Sequence, residues 1–401
     1  MSEVAQVPQL RFPEFSGNWE SKIFRDVFER ITTKNKENNE NVLTISAQQG
    51  LINQKDYFNK SVSAKDVTGY YLLHKDDFAY NKSYSQGYPL GAIKRLKKYD
   101  KGVVSTLYIC FKSIQDNIDF LEQVFNGGRL NHEIHKIAQE GARNHGLLNI
   151  SVVEFFKDIK LNIPTKPEQQ KIAAFLTAVD TKIEQLSKKQ ELLGEYKKGL
   201  MQQIFSQAIR FKADDGSTFP EWKEKKLGDI VRFENGKGHE QNISKDGKFI
   251  VVNSKFISSQ GRVKKYTDTQ KSPLNFGDVV MVMSDVPNGK ALAKCYYIEQ
   301  DNLYSLNQRI CGLKHKLADT KFIYYRINRH KYFLSFDSGV GQTNLKKMEI
   351  LNCPLNIPTD IKEQAKIANF LSSIDNKIEQ VGKQLDESKQ FKKALLQQMF
   401  V

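Results

Sequence analysis

Absences narrow the field first. The chain contains no Pro-Pro dipeptide, so it lacks the N/D-P-P-aromatic tetrad of enzymes that methylate base amino groups. No GxxxxGK[ST] loop for a nucleoside triphosphate occurs. Ser338-Gly339-Val340-Gly341 imitates a cofactor loop, but it has neither a preceding strand pattern nor a full GxGxxG. His132-Glu133-Ile134-His135 lacks the HExxH spacing that puts two imidazoles on one helix face, so no metal site is expected. Pro220-Glu221-Trp222-Lys223 places a carboxylate near a lysine as nucleases do. The matching stretch around Trp19 lacks that pattern, which favours a folding role for the two tryptophans. Catalytic residues and cofactors are therefore expected to be none.

Cysteine is scarce as well: Cys110, Cys295, Cys311 and Cys353 form no CxxC pair and fit reduced thiols in a cytoplasm. No apolar run approaches the roughly 18 residues a membrane helix needs, and MSEVAQVPQLRFPEF is not built as a secretory leader. Acidic residues are the minority charge, 46 against 61 Lys plus Arg, and the net +15 suits a polyanion partner, nucleic acid before a membrane surface.

What is present is a repeat. KIAAFL at 171–176 recurs as KIANFL at 366–371, IEQ at 183–185 recurs at 378–380, and YKKGLMQQIF at 196–205 recurs as FKKALLQQMF at 391–400, all 195 positions apart. IPT occurs at 163–165 and again at 357–359. Fainter matches link Trp19, Phe24, Asp26 and Val27 to Trp222, Leu227, Asp229 and Ile230, and 77–83 to 278–284. The chain is two copies of one plan, each a variable block of roughly 150 residues followed by a strongly similar segment. The boundaries read 1–162, 163–208, 209–356 and 357–401.

The similar segments carry a seven-residue apolar repeat. Ile172, Val179, Leu186, Leu193 and Leu200 alternate with Leu176, Ile183 and Ile204 in the first; Ile367, Ile374, Val381 and Leu395 alternate with Leu371, Ile378, Leu385 and Met399 in the second. Such a pattern predicts a coiled-coil helix of about 40 residues and about 60 Å in each copy. The seam is not a perfect copy: Gln190 stands against Leu385, and Leu193 against Ser388. Pro-Thr before each helix supplies a breaker and an expected capping hydroxyl. Gly194, Gly199 and Gly382 weaken an isolated helix, so each needs a partner. The second block begins soon after the first helix ends, so the chain is expected to run out along one helix and return along the other. An antiparallel intramolecular pair with a block at each end and a pseudo-twofold axis follows, unless the helices pair between chains.

The blocks read as α+β. Strands are expected at 102–111, 248–253 and 278–283, and helices at 119–138 and 321–336. Cations, amides and aromatics interleave in their loops. The DNA-contact candidates of the first block are Asn81, Lys82, Tyr84, Lys94, Arg95, Lys97, Lys98, Arg143 and Asn144. Those of the second are Arg262, Lys264, Lys265, Asn288, Lys290, Gln308, Arg309, Gln342, Thr343, Asn344 and Lys346. Lys and Arg neutralise phosphates, while Arg, Asn and Gln reach guanine or adenine edges.

The duplicated IPT…EQQKIAAFL…VDTKIEQ and IPT…EQAKIANFL…IDNKIEQ around variable α+β blocks resembles the specificity subunit of a type I restriction-modification system, over essentially the whole chain. That resemblance implies two target recognition domains, each reading half of a split double-stranded DNA site. It implies conserved helices that fix the gap and hold two methyltransferase subunits, with restriction subunits that translocate and cut DNA in the same assembly. S-adenosylmethionine, ATP and Mg would then sit on the partners, and methylation would usually fall at adenine N6. The family pattern of a polar loop before the last strand favours Arg143, Asn144, Gln342 and Asn344. Competing readings are a stand-alone sequence-specific or architectural DNA-binding protein and an interaction scaffold.

Overall fold

The computed structural model describes residues 7–46, 49–58, 63–84, 87–138, 148–287 and 289–401. The chain divides into two compact units, Met1–Lys188 with Gly382–Val401, and Lys189–Val381. Two long helices, Lys166–Phe205 and Ile361–Gln398, are each shared between the units, so neither variable block is a unit by itself.

In the first unit, a four-stranded antiparallel sheet is ordered Phe28–Arg30, Ile109–Ser113, Phe78–Asn81, Ala92–Arg95. It is covered by a core in which Phe24 stacks on Phe28 at 4.4 Å and Phe78 on Phe111 at 5.7 Å. In the second unit, the same order is built by Val231–Asn235, Ile310–His315, Val279–Val282 and Cys295–Tyr297. There β-branched residues, Met281, Cys295 and Cys311 take the place of the phenylalanines. All four cysteines are buried, and burial pushes the Cys110, Cys311 and Cys353 thiols up to about 12, so they act as small apolar groups.

Each unit also has a two-stranded antiparallel ribbon that ties the start of its block to the helix lead-in. Glu20–Ile23 pairs with Lys160–Ile163, and Lys223–Lys226 pairs with Pro354–Ile357. Beyond the ribbon, the repeated Glu-Gln dipeptide fastens the block to the helix. Glu168, 1% exposed, accepts from Trp19 Nε1 at 3.2 Å and from Arg11 Nε and Nη2 at 2.7 Å. Glu363, 0% exposed, accepts from Trp222 Nε1 at 3.1 Å and Arg210 Nη2 at 3.5 Å. Gln169 accepts from the Asn117 N–H and donates to Asp116 and to the Pro164 carbonyl; Gln364 accepts from the Asp319 N–H and donates to the Pro358 carbonyl. Asn117 and Asp319 are the N-caps of the block helices Ile118–Asn126 and Thr320–Ile327.

Within each unit the long-helix segments run antiparallel. In the first, Lys392 bonds Asp180 at 2.5 Å while Leu395 and Met399 share a core with Ile172 and Leu176. In the second, Lys197 bonds Asp375 at 2.5 Å, and Ile204 shares a core with Ile367 and Leu371. The other oxygen of each aspartate reaches the block helix, accepting from Gln123 Nε2 at 2.8 Å and from Tyr325 OH at 2.7 Å. Ile172, Leu176, Leu186, Ile204, Ile367, Leu371, Ile374, Val381, Leu385, Leu395 and Met399 are buried. Val179, Ile183, Leu193, Leu200 and Ile378 are half-buried.

Three local expectations change. The run 102–111 is two strands, Lys101–Val104 and Ile109–Ser113, because the chain turns at Tyr108, whose N–H bonds the Ser105 carbonyl. The helix expected at 119–138 breaks at Gly127-Gly128, where Gly128 has φ +68°, and the one expected at 321–336 breaks at Arg329, at φ +57°. Thr359 does not cap its helix: its hydroxyl donates to the Glu221 carbonyl, and Asp360 accepts the Lys362 N–H instead.

A carboxylate buried this deeply is costly when a partner is removed. Trp222→Phe keeps a ring and deletes the N–H, and is expected to lower the unfolding free energy by about 1–3 kcal/mol in urea melts. Gly199→Ala, on a half-buried helical turn with no atom within 4 Å of the new methyl, should raise it by about 0.5–1 kcal/mol.

Candidate nucleic-acid interface

The second unit opens a polar cleft of about 430 Å³ lined by Glu240, Asn253, Ser254, Ser284, Asp285, Val286, Asn307, Gln308, Arg309, Ile310 and Gln342. Three chain segments make it. The first is the 307–309 turn between the strands Tyr304–Leu306 and Ile310–His315, in which Arg309 takes a left-handed backbone at φ +65°. Its carbonyl is held by the Met283 N–H at 3.0 Å. That strained position is one a side chain occupies only when its surroundings insist.

The second segment is the 284–292 loop. Asp285 organises it by accepting from the N–H groups of Val286, Ala291 and Leu292 at 2.9, 2.6 and 3.0 Å, which absorbs its charge. The short pairing of Ser284-Asp285 with Thr343-Asn344 carries Gln342 to the same place, where its Nε2 donates to Ser284 Oγ at 2.5 Å.

The third segment is the 236–242 loop, seated through fully buried His239. The ring lies 2.7 Å from the Lys237 carbonyl through Nδ1 and 2.8 Å from Ser305 Oγ through Nε2. A carbonyl only accepts, so Nδ1 carries the proton and Nε2 accepts the serine hydroxyl. The His239 N–H also donates to Asn307 Oδ1 at 3.1 Å.

The candidates from the sequence separate clearly. Gln308, Arg309 and Gln342 meet in the cleft; Asn344 is beside it, accepting weakly from Gln342 at 3.5 Å. Thr343 is buried and its hydroxyl donates to Asp337 at 3.0 Å, so it serves the loop and not a ligand. Arg262, Lys264, Lys265, Lys290 and Lys346 are exposed but do not line the cleft. Asn288 lies outside the described residues, as do Arg143 and Asn144.

In the first unit Arg95 is spent internally: its guanidinium meets Asp76 at 2.5 Å, Asp119 at 2.6 Å and Glu122 at 3.2 Å, with its side chain 11% exposed. Three carboxylates occupy the donors that a phosphate would need. Lys97 pairs with the same Glu122. Lys94 is half-buried, donates to Asn126 at 3.0 Å, and has its pKa lowered by burial. Asn81 caps its own turn by accepting the Ser83 N–H, and Lys82 gives its carbonyl to the Leu148 N–H, while Tyr84 and Lys98 are exposed.

Glu240, Asn253, Ser254, Ser284 and Asp285 were not among the candidates. The match of 77–83 to 278–284 was a usable signal for Ser284; charge and aromatic interleaving favoured lysine-rich stretches instead. Among the described residues no cluster of three metal-ligating side chains occurs, and no helix is long and apolar enough to cross a membrane.

The structure thus shows a duplicated α+β block carried on shared long helices, with a polar cleft in the second unit. Residues 220–388 match the family model for the type I restriction modification DNA specificity domain. The type I restriction enzyme MjaVIII specificity subunit of Methanocaldococcus jannaschii is 27% identical over 267 residues, covering 61% of each chain. A second protein of that organism, a type I restriction enzyme MjaX specificity subunit described as putative, is 24% identical over 256 residues, covering 60% of this chain and 58% of its own. The chain thus spans about three-fifths of the length of the curated relatives it matches.

Solved structures extend the likeness of fold. The type I S subunit of M. genitalium superposes with a TM-score of 0.60 at 17% identity, over 98% of this chain and 99% of that one. A chain solved for the assembly and conformational transition of a type I restriction-modification system gives 0.53 at 14% identity, over 94% and 96%. Together these findings show a type I restriction modification DNA specificity domain over residues 220–388 and, over nearly the whole chain, a fold like that of type I S subunits.

Gly236 shows how tightly the cleft is assembled, since an added Cβ would stand 1.9 Å from the Asn307 carbonyl oxygen. Gly236→Ala should therefore push the 307–309 turn outward and lower unfolding free energy by about 1–3 kcal/mol in chemical denaturation. Gly194→Ala, which meets no atom within 4 Å, should not destabilise.

Proposed function

We propose that this chain is the non-catalytic DNA-recognition subunit of a cytoplasmic type I restriction-modification complex. Each unit reads one half of a bipartite double-stranded site, and the long helices set the unread spacer and dock two methyltransferase subunits. Restriction subunits join the same complex. S-adenosylmethionine, ATP and Mg belong to those partners; this chain supplies affinity, register and choice of sequence.

The observation that carries the reading is the repetition itself. Both units keep the same sheet order, the same Glu–Trp–Arg fastening and the same Asp–Lys pairing, while their loops differ. A constant frame under variable polar loops is what a protein needs to read two unrelated half-sequences at a fixed separation. The net charge of +15 supplies the phosphate attraction. The cleft, with amides and a single arginine, supplies groups able to meet base edges.

Co-expression with a cognate methyltransferase subunit in an unmethylated host, followed by direct sequencing of modified bases, tests this. A new bipartite adenine-methylation motif is expected, and its absence overturns the proposal. Adding one heptad to both long helices, which preserves the seam, should lengthen the spacer and leave both half-sequences intact. A sharp footprint from the purified chain alone would point instead to a stand-alone DNA-binding protein.

A further inference from the structure

Of the two glutamines in the cleft, only one has its amide direction imposed. Glu240 Oε1 receives Gln308 Nε2 at 2.9 Å and Asn307 Nδ2 at 3.3 Å. The Glu240 backbone N–H, together with the bonds from Asn307 and Gln308, lowers the pKa of this carboxylate from its ordinary value. A carboxylate can only accept, so Gln308 must turn its NH2 toward Glu240. Flipping the amide would set two oxygens against each other and forfeit a charge-assisted bond.

Asn307 cannot relieve the constraint, because its own oxygen already accepts the His239 N–H at 3.1 Å. Gly238 closes the shelf beneath: an added Cβ would lie 2.9 Å from Glu240 Oε2 and 3.6 Å from both Cδ and Oε1 of Gln308. Gln342 is different. Its nearest partner is the Ser284 hydroxyl, which donates or accepts equally well, so either face of that amide is allowed. Gln308 is exposed, and among the described residues no donor is recorded on its Oε1.

We infer that Glu240 is a positioning residue that fixes Gln308 with its oxygen turned away from the carboxylate, making Gln308 a reader of exocyclic amino groups. The base opposite it in the second half-site is adenine, through N6–H, or cytosine, through N4–H. Guanine O6 and thymine O4 are acceptors and meet the amide oxygen unfavourably. This rests on the DNA-reading role proposed above and adds which base chemistry one side chain selects. Arg309, next in the chain, exposed and with a left-handed backbone, lines the same cleft.

The test uses the chain assembled with its methyltransferase subunits, a library of sites randomised through the second half-sequence, and sequencing of modified bases. Gln308→Ala should flatten the preference at one position, which identifies the base that Gln308 faces. In the wild-type complex that position should favour adenine or cytosine over guanine and thymine by about tenfold or more, and the sequence obtained distinguishes the two amino-bearing bases. Glu240→Gln, isosteric and able to donate to a flipped Gln308, should reduce that preference at least severalfold at the same position and leave the others unchanged.

The inference is overturned if Glu240→Gln keeps the wild-type preference everywhere, if Gln308→Ala alters no position, or if the assigned position takes guanine or thymine. In each of those outcomes the complex still modifies a bipartite site, so DNA reading stands. A wild-type complex that modifies no sequence removes the functional proposal and this inference together. Should Glu240→Gln fail to assemble, the base found at the position identified by Gln308→Ala decides.

Discussion

The structure depends on two buried carboxylates, Glu168 and Glu363. Neither has access to water, so each requires donors from elsewhere in the chain, and those donors come from the start of the block: an indole N–H and a guanidinium. A hydrophobic contact between helix and block would tolerate sliding, because burial has no direction. A charge that must meet an indole at about 3 Å does not. The neighbouring glutamines extend the fastening to the N-cap of the block helix, and Asp180 and Asp375 extend it along the next turns. Three successive polar contacts therefore fix block to helix in each unit, and the apolar seam supplies adhesion around them.

The fastening residues and the cleft residues are in this way separate sets. The fastening residues lie at matched positions in the two copies and touch one another. The cleft residues of the second unit lie on a turn, a loop ordered by Asp285, and a loop seated by His239. Loops of that kind can change their side chains without disturbing the sheet, whose strands keep one order in both units although one core is rich in phenylalanine and the other in isoleucine, leucine and cysteine.

Repetition made much of this legible in the sequence. The heptad pattern names helices of the right length, and the paired tryptophans announce a folding role before any contact is known. What stayed hidden is what depends on long-range closure. Arg95 reads as a DNA contact until Asp76, Asp119 and Glu122 are seen to surround it. Thr343 reads as a ligand until its hydroxyl is found on Asp337. Glu240 carries a sign that counts against nucleic acid, so reasoning by charge passes over it, although its use is to orient an amide. Helix breaks at Gly128 and Arg329 are likewise set by left-handed backbone at single residues, which propensity alone does not locate.

The sharing of helices bears on the order in which the protein is made. Leu395, Leu396, Met399 and Phe400 fill the core of the first unit, with Phe400 against Trp19 and Phe120. The second unit, Lys189–Val381, is continuous. During synthesis the block translated first must wait, its aromatic core open on one side, until residues 382–401 emerge, while the block translated second can close beforehand. Nascent chains stalled before residue 382 would thus present an exposed phenylalanine-rich surface beside a finished neighbour, the kind of intermediate that chaperones bind.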